Sequence, residues 1–126
     1  MYNLVKAMKA LSDDTRLRII NLIIVRECCV CEVMQALEIS QTRASRNLTM
    51  LYDAGFLKLR KEGLWSLYSL DKETPAYLGK LVEAVELALS ENKIALADRE
   101  RLKTVGRTGA VCLQRANEVC SKGTIA

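Results

Sequence analysis

Three cysteines fall within four residues of this chain: Cys28, Cys29 and Cys31. Thiolate sulfur is a soft ligand that suits thiophilic ions such as As(III), Sb(III) and Cd(II). The segment precedes a stretch with helical spacing of apolar residues, and a helix N-terminus favours thiolate over thiol. Side chains two residues apart point away from each other in a regular helix, so binding one ion through Cys29 and Cys31 is expected to distort the first turn. The spacing therefore predicts a thiol site for a soft ion, coupled to helix geometry.

The whole chain contains five cysteines and no histidine. Its N-terminus lacks the features of a secretion signal and no long apolar run occurs, so a cytoplasmic location without a membrane partner is expected. Cysteines stay reduced in that compartment, and an odd number of them fits poorly with a disulfide framework. The 126 residues, half of them hydrophobic, are enough for one compact domain. The cysteines are therefore expected to act as ligands, reactive thiols or core residues.

Helical periodicity predicts that two helices open the chain, with Ser12 or Asp13 capping the second, which ends near Arg26. A short third helix is expected from about residue 30 to 37. Ser40 is predicted to cap a fourth helix that ends at Gly55 and turns Met50 inward. Its predicted outward residues are Gln41, Thr42, Arg43, Ser45, Arg46 and Asn47. A short helix, a tight turn and a polar-faced helix together indicate a helix-turn-helix.

Residues 56–60 and 65–70 alternate apolar and polar side chains around a four-residue segment that contains Gly63, which predicts a β-hairpin wing. Trp65 and Tyr68 are interpreted as core residues of this hairpin. Pro75 then begins a helix through about Ser90, whose apolar stripe requires a partner surface. The expected fold class is mainly α with a small β-hairpin wing, a homodimeric winged helix-turn-helix.

Two parts are predicted along the chain. Residues 1–90 form the DNA-binding and dimerisation domain, and residues 91–126 form a helical C-terminal tail that carries Cys112 and Cys120. A charged helical piece is expected at residues 98–101, followed by helix breakers at Gly106 and Gly109. The tail holds the two remaining cysteines and is therefore a possible source of further sulfur ligands.

Basic and polar residues concentrate on the fourth helix and the wing, which favours double-stranded DNA as the partner. Arginine on a polar helix face can read base edges, whereas cations on a wing contact backbone phosphates and carry no sequence information. The predicted DNA-binding residues are Ser40, Gln41, Thr42, Arg43, Ser45, Arg46, Lys58, Arg60 and Lys61. The helix is expected to read sequence and the wing to strengthen binding.

Four segments together resemble the ArsR/SmtB family of metal-responsive winged-helix repressors. They are residues 11–19, the Cys-Val-Cys-Glu run at 29–32, residues 40–48 and the Ala-Gly-Phe-Leu run at 54–57. The likeness covers roughly residues 5–89, and the cysteine run looks like the inducer site of the arsenite-responsive branch. The resemblance implies a homodimer that uses its first and last helices as the interface. It also implies that the dimer leaves a two-fold symmetric operator when the inducer binds, upstream of detoxification genes.

The sequence departs from that pattern in its ligands. Arsenite-type members often carry a third cysteine three residues after the second, but Met34 stands there. As(III) and Sb(III) take three sulfurs, so a third thiolate must come from elsewhere: Cys112 is preferred, with Cys28 and Cys120 as alternatives. Cys28 is favoured as a core residue. Zn(II) is disfavoured because histidine is absent, and Cd(II) or Pb(II) would require four converging sulfurs.

The resulting hypothesis is a repressor released from DNA when As(III) or Sb(III) binds to Cys29, Cys31 and Cys112. One alternative is a thiol redox or persulfide sensor, in which Cys29 or Cys31 bonds to Cys112 or Cys120 on oxidation. Another is a Cd(II) or Pb(II) sensor. An enzyme is not expected, because a reactive cysteine needs an acid-base partner and no histidine is available.

Overall fold

The structure is a computed structural model that describes residues 1–106. Its elements follow the order of a winged helix-turn-helix, with one further strand and one further helix. They are α1 (Tyr2–Leu11), α2 (Asp14–Val25), β1 (Cys28–Cys29), α3 (Val30–Leu37), α4 (Gln41–Asp53), β2 (Leu57–Glu62), β3 (Trp65–Leu70), α5 (Ala76–Leu89) and α6 (Lys93–Leu102). The predicted fold class is confirmed for these residues.

Side-chain caps set the starts of the helices that carry the helix-turn-helix. Asp13 accepts a hydrogen bond from the backbone N–H of Arg16 and caps α2. Ser40 accepts from the N–H of Arg43 and caps α4, as predicted. Between α3 and α4, Glu38 adopts a left-handed conformation with φ of 56°. Only residues 38–40 separate α3 from α4.

The wing is part of a three-stranded antiparallel sheet in the order β1-β3-β2. The two-residue strand β1 was not predicted: Cys28 pairs with Tyr68 and Cys29 with Leu67. The hairpin turn is tighter than expected, because Glu62 pairs directly with Trp65 and only two residues connect them. Gly63 has φ of 59° in this turn, a conformation that glycine adopts without strain. The sheet thus fastens the cysteine segment to the wing.

The core forms around α2, and α1, α3, α4 and α5 pack against it. Its largest fully buried apolar side chains are Phe56, Ile19, Ile20, Leu22, Leu37, Leu48, Leu51, Leu67 and Val33. Tyr68 is also buried, as predicted, and Trp65 is half-buried. No helix within residues 1–106 is both long and apolar enough to cross a membrane.

The faces of α4 differ from the prediction in three positions. Met50, expected inside, is 43 % exposed. Ser45 and Asn47, expected outside, are 3 % and 8 % exposed. The core-facing stripe of α4 is wider than the Ala44, Leu48 and Leu51 pattern suggested, and it takes in Asn47, whose amide nitrogen donates to the carbonyl oxygen of Arg43.

Helix α6 belongs to the packed body of the protein. The charged piece predicted at residues 98–101 lies within it, and the helix begins five residues earlier. Buried Asp98 forms an ion pair with Arg18 of α2 at 2.8 Å, and Arg101 donates to the backbone carbonyl of Ala36 of α3 at 2.6 Å. These contacts hold α6 against the first helix of the helix-turn-helix. Cys112, Cys120 and Gly109 lie outside the described residues, so the division into two parts stays a prediction.

Candidate thiol site and nucleic-acid interface

Cys29 and Cys31 lie together at the start of α3. Cys29 is the N-cap residue with an extended backbone, and Cys31 is the second residue of the helix. Their side chains are 2 % and 7 % exposed, and with Leu67 they form a small buried cluster that Trp65 covers. The prediction that the two side chains diverge assumed a regular helix at both positions. Because Cys29 belongs to β1, both thiols face one cluster before any ion binds.

Glu32 holds the backbone of this cysteine pair through a hydrogen bond to Cys29. Its carboxylate is 1 % exposed, accepts the backbone N–H of Cys29 at 2.9 Å and lies 2.5 Å from the guanidinium of Arg26. Cys29 and Glu32 form a capping box. Burial by itself would lower the pKa of Arg26, but the hydrogen bond and charge of Glu32 raise it above its usual value. Arg26 therefore stays charged and keeps its ion pair with Glu32.

Cys28 faces the other side of β1. Its side chain is fully buried in the main core, and its thiol lies 3.4 Å from the carbonyl oxygen of Arg26. Successive side chains of a strand point to opposite faces, which separates Cys28 from the cluster of Cys29, Cys31 and Leu67. The core interpretation of Cys28 agrees with this burial. As a third ligand for an ion held by Cys29 and Cys31, Cys28 would have to leave the core.

The described part of the chain offers two sulfurs on one side of α3. No group of three or more ligating side chains occurs among residues 1–106. The thiol of Cys31 accepts a hydrogen bond from the amide nitrogen of Gln35 at 3.0 Å. Two thiols fit part of the coordination sphere of a trivalent soft ion, and a pyramidal three-sulfur site needs one more.

The outer surface of α4 carries the candidate DNA contacts. Thr42, Arg43 and Arg46 are exposed, and Gln41 is half-buried. The guanidinium of Arg43 donates to the hydroxyl of buried Thr15 at 2.5 Å, which holds its side chain along the helix. The hydroxyl of Ser40 is engaged in capping the helix. Ser45 is buried, and its place in the predicted DNA-contacting group stays a prediction.

The wing cations have unequal surroundings. Lys58 is exposed, and the ammonium of Lys61 donates to the hydroxyl of Ser66. Arg60 forms ion pairs with Glu27 at 2.8 Å and with Glu62 at 2.9 Å. The hydrogen bond to Glu27 is the largest influence that raises the pKa of Arg60. The positive charge of Arg60 is therefore partly balanced by two carboxylates. Its pair with Glu27 also joins the wing to the segment that precedes the cysteines.

Three of these features were not predicted from the sequence: the capping role of Glu32, the ion pair of Arg60 with Glu27, and the packing of Trp65 on the two thiols. The first had a signal, because Cys29 and Glu32 occupy the positions of a Ser/Thr-x-x-Glu capping box. The other two depend on contacts across the chain, and no local pattern indicates them.

Helices α1 and α5 carry an exposed apolar surface. Leu4, Val5 and Met8 of α1 are between 43 % and 52 % exposed. A shallow apolar depression between α1 and α5 is lined by Met8, Leu11, Leu17, Leu81, Val85 and Leu89. Exposed side chains of this size on adjacent helices are typical of a protein-protein interface.

Comparison with known proteins gives a consistent set of relatives. The chain is 44 % identical over 96 residues to an arsenic resistance transcriptional regulator of Pseudomonas putida, covering 71 % of this chain and 74 % of that protein. It is 39 % identical over 80 residues to the arsenical resistance operon repressor of Escherichia coli, covering 63 % and 68 %. It is 44 % identical over 79 residues to a CadC homologue of Staphylococcus aureus, a cadmium resistance transcriptional regulatory protein, covering 62 % and 63 %.

A solved structure supports the same assignment. The homodimeric winged helix-turn-helix DNA-binding domain of a Mycobacterium bovis protein, a possible ArsR-family transcriptional regulator, superposes with a TM-score of 0.60 at 26 % identity. The superposition covers 72 % of this chain and 82 % of that domain. Residues 13–59 match the model of the arsR family of bacterial regulatory proteins. These relatives are regulators and not enzymes. The chain is a transcriptional regulator that belongs to the ArsR family.

Proposed function

We propose that this protein is a homodimeric repressor that leaves its operator when As(III) or Sb(III) is bound by Cys29, Cys31 and one further thiolate, preferably that of Cys112. The observation that carries the proposal is the pair of buried thiols that face one cluster at the start of α3. The names of the relatives in arsenical resistance support this class of inducer.

The thiol pair suits a trivalent soft ion. Each As–S bond replaces a bond from arsenic to a hydroxyl group and releases one water molecule, so three thiols convert arsenous acid into a neutral trithiolate and three waters. Leu67 and Trp65 provide an apolar wall for such a neutral product. Cys29 and Cys31 already share one cluster, so two of the three bonds require little movement of the backbone.

The end of α6 supports the choice of Cys112 as the third ligand. Arg26 donates to the carbonyl oxygens of Leu102 and Val105 at 3.3 and 3.2 Å, beside the segment that carries Cys29. Cys112 follows Val105 by seven residues, and an extended chain of that length spans at most about 25 Å. A cysteine of the same subunit is therefore within reach of the pair.

Inducer binding changes DNA affinity through α3. The third As–S bond, to a sulfur outside the cluster, pulls on Cys29 and Cys31, which strains the capping box of Cys29 and Glu32 and tilts the first turn of α3. Helix α4 packs on α3 and follows it after a three-residue turn, so Arg43 and Arg46 move relative to the groove. Coupling between two linked sites is typically about 1–3 kcal/mol, which changes DNA affinity by a factor of about 5–150.

The residues of α4 that are proposed to enter the major groove are Gln41, Thr42, Arg43 and Arg46. In that groove arginine pairs with guanine and glutamine with adenine. Lys58 and Lys61 are proposed to contact backbone phosphates, with a weaker part for Arg60. Dimerisation through the apolar surface of α1 and α5 would place two copies of α4 on a symmetric site.

Native mass spectrometry of the fully reduced protein with arsenite, antimonite, Cd(II) and Zn(II) tests the inducer. We expect one arsenic per protomer, with three thiol protons lost on binding, and no arsenic bound to Cys29→Ser. Four sulfurs on Cd(II) without arsenite binding would favour the cadmium alternative, for which the CadC homologue is a relative. If neither ion binds and oxidation links Cys29 or Cys31 to another cysteine, the proposal is replaced by a redox sensor.

A further inference from the structure

The side chain of Arg16 joins three elements of the fold. From its position in the first turn of α2, its Nε donates to the carbonyl oxygen of Ala10 at 2.6 Å and its Nη2 to that of Lys9 at 3.3 Å. Its Nη1 donates to the side-chain oxygen of Asn47 at 3.0 Å and lies 3.4 Å from the sulfur of Met50. Arg16 thus connects the C-terminal end of α1 to the middle of α4.

Each partner suits a guanidinium. The carbonyl oxygens of Lys9 and Ala10 lie in the last turn of α1, where the helix dipole favours a cation; that of Lys9 also accepts from the backbone N–H and the hydroxyl of Ser12. A guanidinium donates in several fixed directions from one plane, and a lysine ammonium cannot reproduce that geometry. Arg16 can therefore hold α1 and α4 at a fixed distance and angle.

The contact on α4 lies behind its candidate DNA-binding face. Asn47 is buried, and its amide nitrogen donates to the carbonyl oxygen of Arg43 at 2.8 Å. Thr15, next to Arg16, accepts from the guanidinium of the same Arg43 at 2.5 Å. The first turn of α2 therefore holds both the backbone and the side chain of the α4 turn that carries Arg43, while Arg46 projects outward one turn along.

We infer that Arg16 is a positioning residue for DNA recognition, which fixes α4 relative to α1 and thereby sets the half-site spacing that the dimer accepts. The inference rests on the proposed homodimer with α1 in its interface. In such a dimer the distance between the two copies of α4 depends on the angle between α1 and α4 within each subunit. Dimers of this class bind half-sites about 34–36 Å apart, so a small change of that angle shifts the preferred spacing.

The test is a spacing profile. The wild-type protein first selects symmetric duplexes from a random pool. Duplexes are then made in which the spacer between the two selected half-sites is unchanged, or is one or two base pairs longer or shorter, and the affinity for each duplex is measured. Arg16→Lys is expected to bind the preferred spacer about tenfold more weakly, as for loss of a charged hydrogen bond, and to discriminate less among spacers. The dependence of affinity on salt should not change in Arg16→Gln, which removes the charge, because Arg16 is proposed to touch no phosphate.

Arg99→Lys is the matched control. Arg99 is also half-buried and donates to a backbone carbonyl, that of Asn21 at 3.1 Å, but it lies on α6 away from α4. Its spacing profile should equal that of the wild type. Asn47→Ala removes the α4 acceptor and leaves the α1 contacts of Arg16, so it should broaden the profile even if Arg16→Lys folds poorly.

Three results separate the outcomes. A profile of Arg16→Lys or Asn47→Ala that stays as sharp as the wild-type profile in a folded dimer overturns the inference. A salt slope that falls by about one for Arg16→Gln, which removes the charge, makes Arg16 a phosphate contact and also overturns it. If the wild-type protein selects no symmetric duplex, the proposed function itself fails. A sharp profile in the variants contradicts only the inference about Arg16.

Discussion

The carboxylate of Glu32 accepts the backbone N–H of Cys29 at 2.9 Å. Glu32, the third residue of α3, therefore holds Cys29, the N-cap residue of the same helix. The same carboxylate pairs with Arg26. A buried acid that caps a helix and neutralises a cation holds the segment in one conformation, and it places both thiols on the cluster with Leu67.

Replacing Glu32 by Gln should therefore destabilise the fold. The amide can still accept the N–H of Cys29, but Arg26 loses its carboxylate. Removing one member of a fully buried pair costs about 3–5 kcal/mol, and because the side chain of Arg26 is 34 % exposed we expect a loss of about 1–2 kcal/mol in the free energy of unfolding. Urea denaturation measures it. Glu83→Gln, which removes an exposed pair with Lys80, should cost at most about 0.5 kcal/mol; equal losses in the two variants would argue against the role of Glu32.

Serine substitutions should separate the adjacent cysteines by function. Cys28→Ser places a hydroxyl in the main core and should lower the free energy of unfolding by about 1–2 kcal/mol while arsenite binding is kept. Cys29→Ser should abolish tight arsenite binding, because one sulfur of the pair is lost. Isothermal titration with arsenite and urea denaturation measure the two effects. Loss of arsenite binding in Cys28→Ser, in a variant that remains folded, would mean that β1 reorganises to supply Cys28 as a ligand.

Trp65 offers an intrinsic signal for occupancy of the thiol site. It is the single tryptophan of the chain and packs on Cys29, Cys31 and Leu67. Arsenic bound to these sulfurs adds a heavy atom and changes the packing beside the indole, so we expect a decrease in fluorescence that saturates at one arsenic per protomer. Cys29→Ser should show no decrease and Cys28→Ser a normal one. A full fluorescence response in Cys29→Ser would place the ion elsewhere.

Arg46 and Arg60 should contribute unequally to DNA binding. Arg46 is exposed on α4, whereas Arg60 already pairs with Glu27 and Glu62. Arg46→Gln removes a cation that is proposed to enter the groove and should reduce the slope of log affinity against log salt by up to about one, and Arg60→Gln should reduce it by much less. Fluorescence anisotropy over a range of salt concentrations measures both slopes. A larger reduction for Arg60→Gln would show that DNA displaces the carboxylates.

Local patterns were sufficient for most of the fold. The bounds of α3, the cap at Ser40 and the two main strands of the wing follow from periodicity and from capping and turn residues. The strand β1 could not be predicted, because two residues have no alternation to detect and their pairing with β3 joins positions 38 and 40 residues apart. Ser45 and Asn47 were placed outside because they are polar, but small polar side chains can be buried where they hydrogen-bond locally.

The candidate site was predicted in part. The positions of Cys29 and Cys31 at a helix start follow from the sequence, but their shared cluster depends on Leu67 and Trp65 of a distant strand. The ion pair of Arg18 with Asp98 spans 80 residues, and that of Arg60 with Glu27 spans 33. Partners at such separations have no signal in one sequence, since every charged residue has many candidates.

The most direct test of the proposed mechanism is release of DNA by arsenite in the presence of excess reductant. A fluorescent duplex selected by the wild-type protein is bound to saturation, and arsenite is titrated while anisotropy is recorded. We expect the anisotropy to fall to that of free DNA for the wild-type protein and to stay high for Cys29→Ser and Cys31→Ser. An unchanged anisotropy of the wild-type complex at saturating arsenite, or equal release from the serine variants, would contradict the proposal that these two thiols control DNA binding.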